Sequence, residues 1–243
     1  MAARTVTTMH GRLDLPDHPA FYRSFPQFPL VSISHAQRRP MPPVNWVATV
    51  PHGLLPDLLR LNPEPNDYFA FLGRISPEKG PDRAIRIAQA AGVKLKIAAK
   101  VDKADREYFD AVIKPLLNDP LIEFVGEINE QQKNEFLGKA RALLFPIDWP
   151  EPFGLVMIEA MACGTPVIAF DRGSVPEILE EGLTGFIVNS VEEAIEAVQR
   201  VVALDRRRVR ARFEQRFTAA RMARDYVATF EQLVDPEGAL KVA

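Results

Sequence analysis

From about residue 66 onward, short apolar runs alternate with longer segments of helical periodicity. Six runs have the length and residue types of buried β-strands: YFAFLG (68–73), VKLKIAA (93–99), LIEFVG (121–126), ARALLFP (140–146), TPVIAF (165–170) and TGFIVN (184–189). Apolar strands that alternate with helices are typical of βαβ units, whose strands pair in parallel. The pattern therefore predicts an α/β fold with a Rossmann-like, doubly wound parallel sheet.

The segments between and after these runs are the predicted helices. They are PDRAIRIAQAAG (81–92), KADREYFDAVIKPLL (103–117), NEQQKNEFLGKA (129–140), GLVMIEAMACG (154–164), SVPEILEEG (174–182), VEEAIEAVQRVVAL (191–204) and RMARDYVATFEQLV (221–234). Gly92, Gly164 and Gly182 stand where helices should end, as C-terminal capping glycines do.

The first 60 residues have a different pattern. Three strand-like runs are separated by proline-rich stretches: TVTTMHG (5–11), PLVSISH (29–35) and NWVATVPHG (45–53). A complete Rossmann-like domain usually has five or six strands. We therefore predict a small N-terminal remnant over residues 1–50, a large Rossmann-like domain over 51–217, and a closing helix within 218–243 that packs back toward the N-terminal part.

The apolar faces and edges of these early runs need a covering partner, because exposed strand edges tend to pair with other chains. We expect a homo-oligomer or a partner subunit. The formal net charge of −2 supplies no global positive field, so no nucleic-acid partner is expected. The basic cluster DRRRVRAR (205–212) is interpreted as a solvated helix face; the alternative is a patch for an anionic acceptor or a lipid head group, which keeps peripheral membrane contact open.

The cysteine and histidine content and the N-terminal residues indicate a cellular location and whether a metal site is expected. The single cysteine, Cys163, excludes an intrachain disulfide and fits a reducing, cytoplasmic location. The N-terminal residues lack the apolar segment of a signal peptide, and no run approaches the length of a membrane span. Four histidines and one cysteine, far apart, predict no metal site and no bound cofactor.

The stretch EPFGLVMIEAMACGTPVIA (151–169) contains two glutamates in an apolar setting. Glutamate is rarely buried unless it is paired, so we expect Glu159 to have a partner or a ligand. The loop before it follows a predicted strand, and ligands of open parallel sheets bind where strands end and helices begin. Glu151 would lie at the mouth of that pocket and Glu159 would approach it from within the helix. The alternative is that Glu151 caps the helix and Glu159 complements its dipole.

A second motif, GRISPEKG (73–80), directly follows the first strand of the large domain. It is not a phosphate-binding P-loop, because Lys79 precedes its glycine. It offers Arg74 and Lys79 in a glycine-bounded loop, and two such cations can neutralise a diphosphate. The alternative is a surface turn with solvated charges.

Together the two motifs resemble those of retaining glycosyltransferases of family 4, which have the GT-B fold. The E-x7-E stretch, the loop GRISPEKG and the segment GSVPEILEEGLTGFIV (173–188) all match, over roughly residues 48–235. The resemblance implies that residues 51–217 bind a nucleotide-sugar donor, with UDP-sugar as the commonest choice. It also implies a cytoplasmic, metal-independent enzyme that acts on an unknown acceptor.

The resemblance further implies a role for individual residues. Arg74 and Lys79 would hold the diphosphate, Glu159 the ribose hydroxyls and Glu151 the hydroxyls of the donor sugar. The backbone of Phe153, Gly154 and Leu155 would face the sugar and phosphates, and the backbone around Gly126, Glu127 and Ile128 would meet the nucleobase. Gly73, in the phosphate-binding loop, and Lys100, after the next strand, are further candidate donor-binding residues. His10 would lie across the cleft, near the donor sugar.

Family members carry most of a further Rossmann-like sheet before the segment that corresponds to TTMHG. We therefore expect that another chain supplies the missing half, or that truncation or a misannotated start removed it. The alternative function is a non-catalytic nucleotide-sugar binding module. A nucleotide-sugar epimerase with a similar fold is a third interpretation, against which the E-x7-E stretch argues.

Overall fold

The computed structural model describes residues 5–234 and contains two parallel sheets. The larger sheet has the strand order β6-β5-β4-β7-β8-β9. Its strands are β4 (Phe69–Arg74), β5 (Leu95–Lys100), β6 (Ile122–Gly126), β7 (Leu143–Phe145), β8 (Val167–Phe170) and β9 (Gly185–Val188). Each of the six predicted runs forms one of these strands, and the α/β, Rossmann-like prediction is confirmed.

Strand order reverses at the centre of this sheet. From β4 the chain adds β5 and β6 on one side, then crosses back to add β7, β8 and β9 on the other. All five pairings are parallel, for example Phe71 with Ile97 and Leu144 with Ile168. The carboxyl ends of β4 and β7 are consequently neighbours, which creates the crevice where open α/β sheets bind ligands.

Helices cover both faces of the larger sheet. They are α3 (Pro81–Ala91), α4 (Arg106–Tyr108), α5 (Lys114–Leu116), α6 (Glu130–Gly138), α7 (Leu155–Ala162), α8 (Val175–Ile178), α9 (Val191–Val201) and α10 (Arg206–Arg216). Alternate residues of one strand enter opposite cores: Phe69 and Phe71 pack with α3 and α9, whereas Ala70 packs with α6 and α7. The predicted helix over 103–117 is one irregular run, in which a π-helical turn, Phe109–Ile113, joins α4 and α5.

The smaller sheet has the order β1-β2-β3, with β1 (Thr7–Thr8), β2 (Leu30–Ser32) and β3 (Trp46–Thr49). Helices α1 (Asp17–Ser24) and α2 (His35–Arg38) connect its strands. The long helix α11 (Ala219–Val234) returns to this sheet, where Tyr226 Oη lies 3.1 Å from Thr8 Oγ1 and Arg221 donates to the carbonyl of Pro51 at 2.6 Å. The proposed domain boundaries stay predictions, and residues 1–4 and 235–243 lie outside the described range.

The structure corrects the predicted helix over 174–182. Helix α8 ends at Ile178, because Leu179 is extended and Glu180 begins a turn. The Thr184 hydroxyl accepts from the amide of Glu180 at 2.8 Å, and the amide of Thr184 donates to the carbonyl of Glu180 at 2.9 Å. These local bonds replace the next helical turn.

The basic cluster 205–212 is also corrected, because it is not a uniformly solvated face. Arg206 is only 8% exposed, and its guanidinium donates to the carbonyls of Asn62, Gly138 and Ala140 at 2.6 to 2.9 Å. Arg212 forms an ion pair with Glu180 at 2.6 Å. Burial lowers the pKa of Arg206 to about 10. The cluster thus ties α10 to the segments at residue 62, residues 138–140 and residue 180. Among the helices of residues 5–234, none is both long and apolar enough to cross a membrane.

Candidate functional site

The two loops at the point of strand reversal contact each other. One follows β4 and carries Lys79; the other follows β7 and carries Glu151. The amide of Asp148 donates to the carbonyl of Glu78 at 2.8 Å, and Arg83 donates to the carbonyl of Pro146 at 2.7 Å. Backbone contacts therefore bring the two sequence motifs together, although they are separated by about seventy residues in the chain.

Lys79 and Glu151 form an ion pair at this junction. Lys79 Nζ lies 2.5 Å from Glu151 Oε2, and Trp149 Nε1 donates to the same oxygen at 3.0 Å. The ammonium also stands 4.8 Å from the centre of the Trp149 ring, which favours a cation. Glu151 is 8% exposed, and its second oxygen, Oε1, has no hydrogen-bond partner within residues 5–234. Glu151 Oε1 can therefore accept a hydrogen bond from a ligand.

Glycines shape the loop that carries Glu151. Gly154 has φ +77° and precedes the first turn of α7, where no side chain caps the helix. Glu151 therefore does not cap α7, and the capping alternative is wrong for this residue. Gly173 lies against Glu151 so closely that a Cβ at residue 173 would stand 2.4 Å from the Glu151 nitrogen. The amide of Ser174 holds the Glu151 carbonyl at 2.9 Å.

Glu159 forms a second ion pair, with a lysine that sequence reasoning missed. Lys133 Nζ lies 2.8 Å from Glu159 Oε1 and 3.0 Å from Glu130 Oε2. Burial by itself lowers the pKa of Lys133, but the hydrogen bonds and charges of the two carboxylates outweigh it, so the pKa is raised. In the sequence, Lys133 has the pattern of a solvated helix residue. It reaches Glu159 because α6 packs on α7.

Arg74, Gly73 and Lys100 lie at the carboxyl ends of β4 and β5 but do not join these pairs. The side chain of Arg74 is 53% exposed and contacts Glu78 at 3.1 Å. Lys100 contacts Asp102 at 3.0 Å, and that hydrogen bond raises the pKa of Lys100. Gly73 is half-buried beside Arg74. Within residues 5–234, the ion-pair partner of each cation is a carboxylate two or four positions later in the chain.

The segment after β6 has an open backbone. Gly126 has φ +82°, and a Cβ there would meet no atom within 4 Å. Glu127 is exposed, and Ile128 is half-buried against the core that contains α6 and α7. These three residues precede Asn129, which caps α6 in a capping box with Gln132. The segment therefore leads directly into α6, the helix that carries Lys133.

The remaining predicted residues lie where the two sheets meet. The Phe153 side chain is 2% exposed and contacts the His52 ring edge to face at 4.9 Å, whereas Leu155 is 46% exposed at the start of α7. His10 is exposed and stacks on His52, with ring centres 5.3 Å apart. Ser34 donates to the carbonyl of Pro152 at 2.6 Å. The predicted cross-cleft histidine therefore lies near the loop of Glu151, joined to it through His52.

Comparison with known proteins identifies relatives for most of this chain. The model of the family "Glycosyl transferases group 1" matches residues 60–217. The D-inositol 3-phosphate glycosyltransferases of Mycobacterium tuberculosis and Mycobacterium bovis are 32% identical over 158 residues, which are 62% of this chain and 33% of each relative. The chain thus spans about a third of the length of these curated relatives.

Solved structures with the GT-B fold are similar over almost the whole chain. A glycosyltransferase of avilamycin A biosynthesis is 25% identical with a TM-score of 0.72, over 84% of this chain and 63% of that one. Sucrose-phosphate synthase of Thermosynechococcus elongatus is 20% identical with a TM-score of 0.79, over 96% and 69%. HepE of Anabaena, solved with UDP and glucose, is 19% identical with a TM-score of 0.75, over 93% and 71%.

The family match covers the part of the chain that forms the larger sheet and contains the paired glutamates. The matched range, residues 60–217, contains both sequence motifs, both glutamate–lysine pairs and every strand of the larger sheet. The chain belongs to the glycosyl transferases group 1 family.

Proposed function

We propose that this chain transfers a sugar from a nucleoside diphosphate sugar to an acceptor hydroxyl with retention of the anomeric configuration, as retaining glycosyltransferases of family 4 do. The observation that carries the proposal is the presence of two glutamate–lysine ion pairs, one between the loops after β4 and β7 and one between α6 and α7. Each glutamate there uses one carboxylate oxygen for a lysine and leaves the other free of hydrogen bonds from residues 5–234. Free carboxylate oxygens suit sugar hydroxyls.

The diphosphate is assigned to Lys79 and Arg74. Lys79 has one strong acceptor, Glu151, and an ammonium offers three donors, so it can add a phosphate oxygen without leaving the carboxylate. Arg74 is exposed and close enough to the same loop to swing toward that anion. Two cations would stabilise the charge that builds on the leaving diphosphate, which is electrostatic catalysis. No metal ion is needed in this scheme.

The hydroxyls of the donor sugar are assigned to Glu151 and those of the ribose to Glu159. The acceptor oxygen forms a bond to the anomeric carbon on the same face from which the diphosphate oxygen departs. The leaving phosphate takes the proton of the acceptor hydroxyl, so Glu151 orients the sugar and is not the nucleophile. His10 would contact the sugar from the smaller sheet, while the backbone around Gly126 would meet the nucleobase.

Calorimetric titration with UDP, UDP-glucose, GDP-mannose and ADP-glucose tests donor binding directly. We expect a UDP-sugar to bind best, with unchanged affinity in the presence of a metal chelator. Glu159→Gln should weaken nucleotide binding about tenfold or more, because it removes a charged hydrogen-bond acceptor. The matched control Glu135→Gln alters an exposed glutamate of α6 whose side-chain ion pair within residues 5–234 is with Lys139, and this variant should bind nucleotide normally.

Turnover separates the proposal from a binding module. Proton NMR of the first product should show the anomeric configuration of the donor, and donor hydrolysis alone would still demonstrate a working site. A folded sample that binds none of the four donors contradicts the proposal. Binding without transfer or hydrolysis would instead favour the non-catalytic module.

A further inference from the structure

Glu177 joins the larger sheet to the smaller one. It belongs to α8, which follows β8 of the larger sheet, whereas α2 follows β2 of the smaller sheet. The Glu177 carboxylate accepts the amide of His35 at 2.7 Å on Oε2 and the amide of Ala36 at 2.6 Å on Oε1. These amides lie in the first turn of α2, where a helix leaves its N–H groups without internal partners. We call this pair of charge-assisted bonds the Glu177 clasp.

The same end of α2 holds the loop that carries Glu151. Ser34 is 1% exposed, and its hydroxyl caps α2 by accepting the amide of Gln37 at 3.0 Å. The hydroxyl also donates to the carbonyl of Pro152 at 2.6 Å, and Pro152 directly follows Glu151 in the chain. The position of Glu151 relative to the smaller sheet therefore depends on where α2 begins.

Helix α8 is itself fixed to the larger sheet on both sides of the clasp. Before it, the amide of Ser174 donates to the carbonyl of Glu151 at 2.9 Å. At its end, Arg216 of α10 donates to the carbonyls of Glu177 and Ile178 at 2.6 and 3.2 Å. The carboxylate of Glu177 is thus presented to α2 from a backbone that has its own anchors.

We infer that Glu177 is a positioning residue. Its clasp fixes the first turn of α2 and, through Ser34, sets the loop of Glu151 against the smaller sheet, from which His10 would contact the donor sugar. The expected effect on turnover rests on the proposed function, whereas the clasp itself does not. Within residues 5–234 the hydrogen-bond partners of this carboxylate are the two α2 amides, so its loss should disturb the sugar side of the crevice more than nucleotide binding.

Pulsed electron paramagnetic resonance between two spin labels tests the clasp without a substrate. Arg23→Cys on α1 and Arg208→Cys on α10 place the labels at exposed positions, and the buried Cys163 should stay unlabelled. With Glu177 present we expect one narrow distance distribution. Glu177→Ala should broaden it and lengthen the mean distance, and Glu177→Gln, which keeps one acceptor oxygen, should lie between the two.

Glu193→Ala is the matched control. Glu193 is an exposed glutamate that also accepts a backbone amide, that of Asn189 at 2.8 Å, but both residues belong to the part of the chain around the larger sheet. The variant loses an acceptor of the same kind without a change at α2, so its distance distribution should equal that of the wild type. Thermal melting of each variant shows the folded fraction.

Kinetics with UDP-glucose distinguish positioning from general support of the fold. Glu177→Ala should lower kcat for donor hydrolysis about tenfold or more, because small displacements of groups around the reacting sugar are costly. The Kd of UDP, measured by calorimetry, should keep its wild-type value. Glu193→Ala should change neither quantity.

Three outcomes contradict different statements. Unchanged distances in Glu177→Ala, or equal broadening in Glu193→Ala, would overturn the clasp. A broader distribution with an unchanged kcat would show that the clasp does not position the reacting groups. If the wild-type chain binds none of the donors, the proposed function is wrong, and the distances alone decide whether the clasp exists.

Discussion

Single residues explain how two glutamates are tolerated in an apolar setting. Glu151 and Glu159 are 8% and 9% exposed, and each lies within 2.8 Å of a lysine ammonium. A buried charge without a partner would cost several kcal/mol, so the pairs are what make burial possible. The same pairs fix the position of both carboxylates.

Removal of one partner should therefore be more harmful than removal of both. Lys79→Met leaves Glu151 buried without a cation, and we expect it to lower the free energy of unfolding by about 2 to 3 kcal/mol. The double variant Lys79→Met/Glu151→Gln should recover part of that loss, since no unpaired charge remains. Urea denaturation of the wild type, of both variants and of Glu151→Gln gives the coupling free energy between Lys79 and Glu151. Strictly additive losses would show that the pair does not act as described.

His52 should make the protein less stable in acid. Burial, followed by the charges of His10 and Arg221, lowers the pKa of His52 below its ordinary value of about 6.5. The unfolded chain thus binds the proton more readily, and stability is lost as the pH falls from about 6.5 through the folded pKa.

His52→Phe keeps an aromatic ring against His10 and Phe153 but cannot titrate. Its stability should fall less than that of the wild type between pH 7.5 and pH 5.5, measured by urea denaturation. The variant His35→Asn, measured in parallel, removes an exposed imidazole and serves as a comparison. Equal acid sensitivity in His52→Phe and the wild type would contradict this role.

At the scale of elements, α7 depends on the conformation of the residue before it. Gly154 has φ +77°, and a Cβ there would lie 2.7 Å from Met157 Cε. Gly154→Ala should cost about 1 to 2 kcal/mol from the backbone alone, and more because Met157 must move. Calorimetric melting and UDP binding should both decline, because the loop of Glu151 shifts with the start of the helix.

Gly92→Ala is the matched control for this glycine. Gly92 also has a positive φ, +67°, but a Cβ there meets nothing within 4 Å, and it follows α3 away from the crevice. It should lower the melting temperature modestly and leave UDP affinity unchanged. If the two variants are equally stable and bind equally well, the close packing at residue 154 is unimportant.

Arg206 anchors helix α10 to the segments at residue 62, residues 138–140 and residue 165. Arg206 donates to three backbone carbonyls and to Thr165 Oγ1, at 2.6 to 2.9 Å. Arg206→Met should lower the free energy of unfolding by about 3 kcal/mol, because buried carbonyls lose a charged donor. Arg208→Met alters an exposed arginine of the same cluster and should be neutral in urea denaturation. Similar losses for both variants would contradict the clamp.

At the scale of the whole molecule, apolar surface remains uncovered around the smaller sheet. Strand β1 is an outer strand, and large apolar side chains are exposed on or next to the helices α1 and α11: Phe21 on α1, Phe25 directly after it, and Val227, Phe230 and Val234 on α11. Association of this chain with itself or with a partner stays a prediction. Light scattering should give a mass above that of one chain at micromolar concentration, and Phe21→Ser/Phe230→Ser should reduce it. A clean monomer in the wild type would contradict the prediction.

Strand and helix types were predictable because apolar periodicity is local. The six runs of the larger sheet all became strands, because each is a short apolar run; five of them are largely buried, whereas β6 alternates between buried and more exposed residues. The helix over 174–182 was predicted too long, because the bonds between Glu180 and Thr184 that end it are not visible as a period. Lys79 and Glu151 could be selected as candidates because their loops follow strands; their roles stay predictions.

The sequence by itself determined the α/β class, the order of the strands along the chain and the two loops that could hold an anion and a sugar. Only the tertiary structure decided the partners: Lys79 with Glu151, Lys133 with Glu159, and Arg206 with backbone carbonyls of two separate segments, at residue 62 and at residues 138–140. The physical reason is distance along the chain. Hydrophobic periodicity acts over a few residues, whereas an ion pair between α6 and α7 exists only after both helices have packed on the same face of the sheet.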